Sequence, residues 1–218
     1  MSVEMVSLIV GEMWITLYMV LATTVFAYLL GLPLGVVLAV TDENGISPNK
    51  LIYKLLDILT NITRSIPFLI LLILLIPFTK AIVGKSYGPT ATIVPLVVAA
   101  TPFIGRMVEG SLKEVNRGVL EAAQSMGAST MQIIIKVLLV EARVSLIVGS
   151  TIALGTVLGY SAMAGIVGGG GLGDVAIQYG YYRYDVTVMW VTVIILVLLV
   201  QILQMIGMKI AKKVDRRI

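Results

Sequence analysis

Residues 186–208 read VTVMWVTVIILVLLVQILQMIGM, a run without a single Asp, Glu, Lys or Arg. It exceeds the roughly 20 apolar residues that a helix needs to cross a hydrocarbon core of about 30 Å. Within lipid no water is present to bond the backbone, so a helix that pairs its own N–H and C=O groups is the fitting solution. The stretch therefore reads as a membrane span, and a cationic tail of Lys209, Lys212, Lys213, Arg216 and Arg217 closes it.

Upstream the pattern repeats. Further apolar segments lie at residues 14–40, 55–78, 90–108 and 144–167. The chain is 58% hydrophobic and 13% charged, against about 25% charged in a soluble domain, and its mean hydropathy is +1.01. The expected fold is an all-α polytopic membrane protein, a single domain over residues 1–218 with five transmembrane helices. Trp14 and Tyr18 suit an interfacial anchor in the first span, which Gly31, Pro33 and Gly35 interrupt, allowing a bend or a close helix contact. The second segment begins amphipathic, with Lys54, Asp57 and Arg64, and ends as a strong span. Pro67 disfavours helix at Ile66 and marks the join, where Arg64 is expected to snorkel to water. The third span is the weakest, broken by Pro95 and Pro102. The first thirteen residues hold no Lys or Arg for the n-region of a cleavable signal peptide.

Charge sets the orientation. Lys50, Lys54, Arg64, the five cations of residues 106–143 and the five of the tail fall on one side of the five spans; Lys80, Lys85 and Arg183 fall on the other. Lys and Arg concentrate in cytoplasmic loops, so the N-terminus is expected outside and the C-terminus in the cytoplasm.

The chain has no Cys and no His, which removes disulfides, thiol nucleophiles, Cys/His zinc sites and the usual general base. Gly168–Gly171 followed by Leu172 and Gly173 matches G-x-G-x-x-G, but that pattern binds dinucleotides only between a strand and a helix, and here it follows a span. Thr79–Ser86 resembles a P-loop but has Thr in place of the first Gly, and it falls on the outer side. No span carries a central Asp, Glu, Lys or Arg of the kind ion-coupled carriers keep, and no inverted repeat is visible. Energy from ATP would have to come through a partner.

The polar stretch 119–132, VLEAAQSMGASTMQ, is where a partner could take hold. Val119, Ala123 and Met126 recur at helical spacing and give a short helix one apolar face. Gly127 stands where a helix C′ residue takes positive φ. Ser129 and Gln132 form a capping-box pattern that opens a second helix leading into the fourth span. Glu121 sits in the first helix, where a carboxylate favours the dipole.

Glu121-Ala122-Ala123 with Gly127 four residues on resembles the EAA loop of ABC importer permeases. The family pattern usually continues to Leu-Pro, where this chain has Leu139-Val140. Arg64–Phe68, Thr101–Glu109, Tyr160–Met163, Gly170–Gly173 and Gln178–Tyr181 are similar to the methionine importer permeases, one branch of that family. The resemblance implies the type I importer permease fold in a bacterial cytoplasmic membrane, with no enzymatic activity in this chain. It implies that Glu121, Ala122, Ala123, Met126 and Gly127 couple to a cytoplasmic ATPase. Two copies of this chain would form the pathway over two ATPase subunits, which use ATP and Mg. An external substrate-binding lipoprotein would deliver L- or D-methionine; lipid surrounds the spans, and no nucleic acid is expected. Tyr160, Ser161 and Met163, at the end of the fourth span, are the expected pathway or gate residues, and Tyr179–Tyr184 the expected outer aromatic belt. Alternatives are a permease for another amino acid or small solute, an ion-coupled amino-acid carrier, and a membrane scaffold.

Overall fold

The computed structural model describes residues 2–215, so Arg216 and Arg217 of the cationic tail lie outside the described residues. Helices dominate it. The first, α1 (Val3–Thr41), is capped by the Ser2 side chain and starts well before residue 14. Its outward side chains, among them Trp14, Leu29 and Leu30, are exposed, as apolar side chains facing lipid would be.

Helix α5 (Pro89–Lys113) is the partner of α1 and the centre of the molecule. Gly31 and Gly35 of α1 face it. A Cβ at Gly31 would stand 2.7 Å from Cγ2 of Ile104, and one at Gly35 would collide with the Gly105 carbonyl and Val108. Small residues thus let two backbones approach closely, as expected of membrane helices. The prolines behave otherwise than expected. Pro33 lies within α1, and Pro95 and Pro102 within α5, and neither helix breaks. A proline removes one backbone donor, but in a bundle the packed neighbours hold the helix together; Pro95 and Pro102 are themselves buried.

The second segment departs further from a single span. It forms α2 (Lys50–Ser65), α3 (Phe68–Leu74) and α4 (Ile76–Val83), with a bend of 102° between α2 and α3. Ile66 takes φ −80°, ψ 123°, the extended conformation a following proline imposes, and Pro77 restarts the chain in the first turn of α4. Among the described residues four helices are long and apolar enough to cross a membrane, and the bent pair α2–α3 passes the same test as a fifth when taken as one span.

After α5 come α6 (Arg117–Ser125) and α7 (Thr130–Ile133). A π-helical stretch Ile134–Leu138, α8 (Leu139–Glu141) and α9 (Arg143–Ala164) then carry the chain into the fourth span almost without interruption. Val140 sits within α8, half-exposed. The glycine run folds back onto α1. Gly168, Gly170 and Gly171 all take positive φ, and the Gly171 N–H donates to the Glu12 carboxylate at 2.6 Å while the Leu172 N–H donates to Thr16 Oγ1 at 2.8 Å. Glu12 therefore caps α10 (Leu172–Val175) from a helix far away in sequence. A π-helical stretch Ala176–Tyr181 follows, and α11 (Val186–Val214), with Asp185 as its cap, packs against α9.

Candidate functional site

The loop helix α6 is defined at both ends by local chemistry. The Asn116 side chain accepts from the Gly118 N–H at 2.8 Å. At the other end the Ala128 N–H reaches the Ala123 carbonyl and the Gly127 N–H the Gln124 carbonyl, the paired bonds of a Schellman termination, with Gly127 at φ +80°. The turn passes into a complete capping box, Ser129 N–H donating to Gln132 Oε1 at 2.9 Å and the Gln132 N–H to Ser129 Oγ.

Ala123 is 5% exposed and packs inward with Leu120 and Ile133. Glu121, Ala122, Met126 and Gly127 are exposed, Met126 at 82%. Val119, Ala123 and Met126 therefore do not form one packed face. Ala123 holds the helix to the molecule with Leu120, and Met126, at the C-cap, turns outward with Val119. The outward surface is small and mostly polar, with one large flexible thioether, suited to a groove in another protein.

Beside it lies an ionic cluster that joins α1, α2 and α5. Lys113 Nζ donates to Asp42 Oδ2 at 2.9 Å and to Glu109 Oε1 at 2.8 Å. Arg106 Nη1 donates to Glu109 Oε2 at 2.7 Å, and its Nη2 to Asp57 Oδ1 and, at 3.0 Å, to Asn61 Oδ1. The Tyr53 hydroxyl completes the shell of Glu109 at 3.2 Å. Glu109 is 5% exposed, and a carboxylate so buried persists as an ion only when paired and hydrogen-bonded. The hydrogen bond from Lys113 holds the Asp42 carboxyl below the usual carboxylate range. Arg117 adds a bond to the Asn44 carbonyl, tying α6 to the loop between α1 and α2. Sequence reading placed Arg106, Glu109 and Lys113 in a polar connection. Their i, i+3 and i+4 spacing on a continuing helix was the signal available.

The expected pathway residues separate. Tyr160 stacks on Phe68, ring centroids 4.7 Å apart and planes 10° from parallel. Ser161 is 2% exposed, its hydroxyl bonded to the Leu158 carbonyl at 2.8 Å within its own helix. Met163 is half-exposed on the outside of this chain. Tyr160 and Met163 share a side of α9 and Ser161 faces the packed interior. At the far end Arg183 lies over the Tyr179 ring at 4.4 Å, while Tyr181, Tyr182 and Tyr184 are exposed. Among the described residues no three carboxylates converge as a metal site would require.

Comparison with known proteins places these features. A family model described as "Binding-protein-dependent transport system inner membrane component" matches residues 31–218. The chain is 51% identical over 210 residues to the probable D-methionine transport system permease protein MetI of Vibrio cholerae, spanning 96% of this chain and 93% of that protein. It is 50% identical over 165 residues to the D-methionine transport system permease protein MetI of Escherichia coli K12, 76% of each chain. A chain from a solved structure of inward facing conformations of the MetNI methionine ABC transporter aligns at TM-score 0.98 and 49% identity, covering 99% of this chain and 100% of that one.

Proposed function

The chain belongs to the family of binding-protein-dependent transport system inner membrane components, and from that premise we propose that it is the permease subunit of an ATP-driven importer carrying L- and D-methionine across the bacterial cytoplasmic membrane. ATP and Mg are used by a separate ATPase, two copies of which sit beneath two copies of this chain, and an external substrate-binding lipoprotein delivers the cargo. The N-terminus is outside and the C-terminus cytoplasmic, by the distribution of Lys and Arg.

One observation carries this reading: α6 is fastened at both ends and presents Glu121, Ala122, Met126 and Gly127 outward. A helix held in this way transmits displacement, whereas a frayed loop would absorb it. When the ATPase dimer closes on ATP, the groove holding α6 moves and the helix moves with it. The push passes along α7 and α8 into α9, which carries Tyr160. It also passes through Arg117 and Lys113 into α1, α2 and α5, whose shared ion cluster makes them move together. Rigid-body switching between inward- and outward-facing states follows. The reading is tested by single-cysteine cross-linking from Ala122→Cys to the ATPase: cross-links that form in the assembled complex and change in yield with ATP support it, and none from that position overturns it.

A further inference from the structure

We propose that the cleft at the bend between α2 and α3 is a cargo subsite, in which Arg64 holds the carboxylate of an amino acid and the Phe68–Tyr160 stack with Phe103 holds its apolar side chain. The proposal rests on the permease reading and names where this chain itself touches cargo. The cleft is about 150 Å³ and is bordered by Thr63, Arg64, Phe68, Ala99, Phe103 and Tyr160.

Two chemistries meet there. Arg64 stands in the last turn of α2 and makes no ion pair among the described residues, whereas Arg106 nearby is paired with Asp57 and Glu109 and bonded to Asn61. A guanidinium at the edge of a membrane segment is costly unless an anion or water meets it, and its planar fork matches a carboxylate. The same cleft has an aromatic wall. Phe68 is 8% exposed and fixed by Leu72, Leu96 and Ala164, and Tyr160 lies flat upon it. A thioether is attracted to such rings beyond its area of contact. A cation and an aromatic surface in one cleft describe an α-amino acid with an apolar, sulfur-bearing side chain. The Thr63 carbonyl accepts from the Ile66 N–H; the carbonyls of Arg64 and Ser65 at the end of α2 are the acceptors for its ammonium.

Position adds a second argument. Ala99, Phe103 and Arg106 lie at i, i+4 and i+7 on α5, so the cleft opens about a turn of helix beyond the ionic cluster. Its walls come from α2, α3 and α5 on one side and from α9 on the other. Those are the elements the loop helix reaches by two separate routes, so relative movement between them changes the shape of the cleft. Cargo would be held in one state and released in the other.

The chain has no cysteine, so a thiol placed at Ala99→Cys is the sole reactive site on this subunit. The permease–ATPase complex without its binding protein is treated with a thiol-specific methanethiosulfonate, and labelling of this chain is followed with and without L-methionine. Labelling of the free cleft only predicts a rate about tenfold lower at a methionine concentration about ten times its dissociation constant. Methioninamide, which lacks the carboxylate, leaves the rate unchanged. Ala99→Cys with Arg64→Gln keeps the unprotected rate and loses the protection. Thr63→Cys serves in the same way where Ala99→Cys does not assemble. Labelling insensitive to methionine, as when a lipid phosphate occupies Arg64, or absence of labelling at both positions, overturns the subsite. Intact ATP-driven methionine uptake by the same preparation then shows that the permease reading stands, and failure of that uptake in the unsubstituted complex overturns the reading itself.

Discussion

Arg106 and Glu109, one turn apart on α5, are joined at 2.7 Å in a site where the Glu109 side chain is 6% exposed. The pair is the knot of a cluster that reaches Asp57 on α2 and, through Lys113, Asp42 at the end of α1. Removing the Glu109 charge takes the shared buried anion from Arg106 and Lys113, and breaking a buried pair costs about 3 kcal/mol. Glu109→Gln is expected to lower the thermal midpoint of the purified complex by several degrees. Asp42→Asn, whose partner Lys113 is 42% exposed, is expected to cost below about 1 kcal/mol. Equal losses in a thermal melt of the two variants would contradict the placement of Glu109 at the centre.

Close contact of α1 with α5 supplies a second prediction with its own control. At Gly35 an added methyl collides with the Gly105 backbone and Val108, whereas at Gly11 it meets nothing within 4 Å. Gly35→Ala should destabilise by about 1–3 kcal/mol as an overpacked contact. Gly11→Ala, in an exposed stretch of the same helix, should be neutral or stabilising by up to about 1 kcal/mol. Detergent melting midpoints check both.

Gly127 separates conformation from space. Nothing lies within 4 Å of a Cβ there, yet φ is +80°, so Gly127→Asn is tolerated and Gly127→Ala costs about 1 kcal/mol of local strain. Gly127→Pro cannot reach that φ and deletes the N–H that bonds Gln124. It is expected to abolish co-purification of the ATPase, and an intact, active complex would show that α6 is not the docking element.

Asp174 gives a pH dependence. Burial raises its carboxyl pKa, and its Oδ1 has no hydrogen-bond partner. A carboxyl raised in the folded state opposes folding when ionised, so stability is lower at neutral pH and is regained as pH falls through the raised value toward the unfolded value of about 3.9. Asp174→Asn removes the charge. The variant should melt higher than the parent at neutral pH, with the gap narrowing in acid. A gap that widens in acid would reverse the sign.

How much of this was legible in the sequence depended on range. The turn at Gly127 and the Ser129–Gln132 box are built from residues within three or four positions of one another, and the structure forms them as their chemistry directs. The direction of Met126 was not legible, because helical periodicity does not say where the helix stops, and Met126 is its C-cap. The prolines of α5 suggested breaks, yet tertiary packing holds that helix through both. Asp57 and Arg106 lie 49 residues apart, and no local pattern pairs them. The same holds for Glu12, which caps a helix 159 residues further on. For the pathway, a hydroxyl-rich sequence at Tyr160-Ser161 did not reveal that the two side chains face opposite ways.

The central claim, that this chain moves methionine only when an ATPase drives it through α6, is tested most directly by uptake into proteoliposomes. The complex of permease, ATPase and loaded binding protein should accumulate labelled methionine only with ATP, and the permease alone, with or without an ion gradient, should accumulate none. Uptake driven by an ion gradient in the absence of the ATPase would contradict the account.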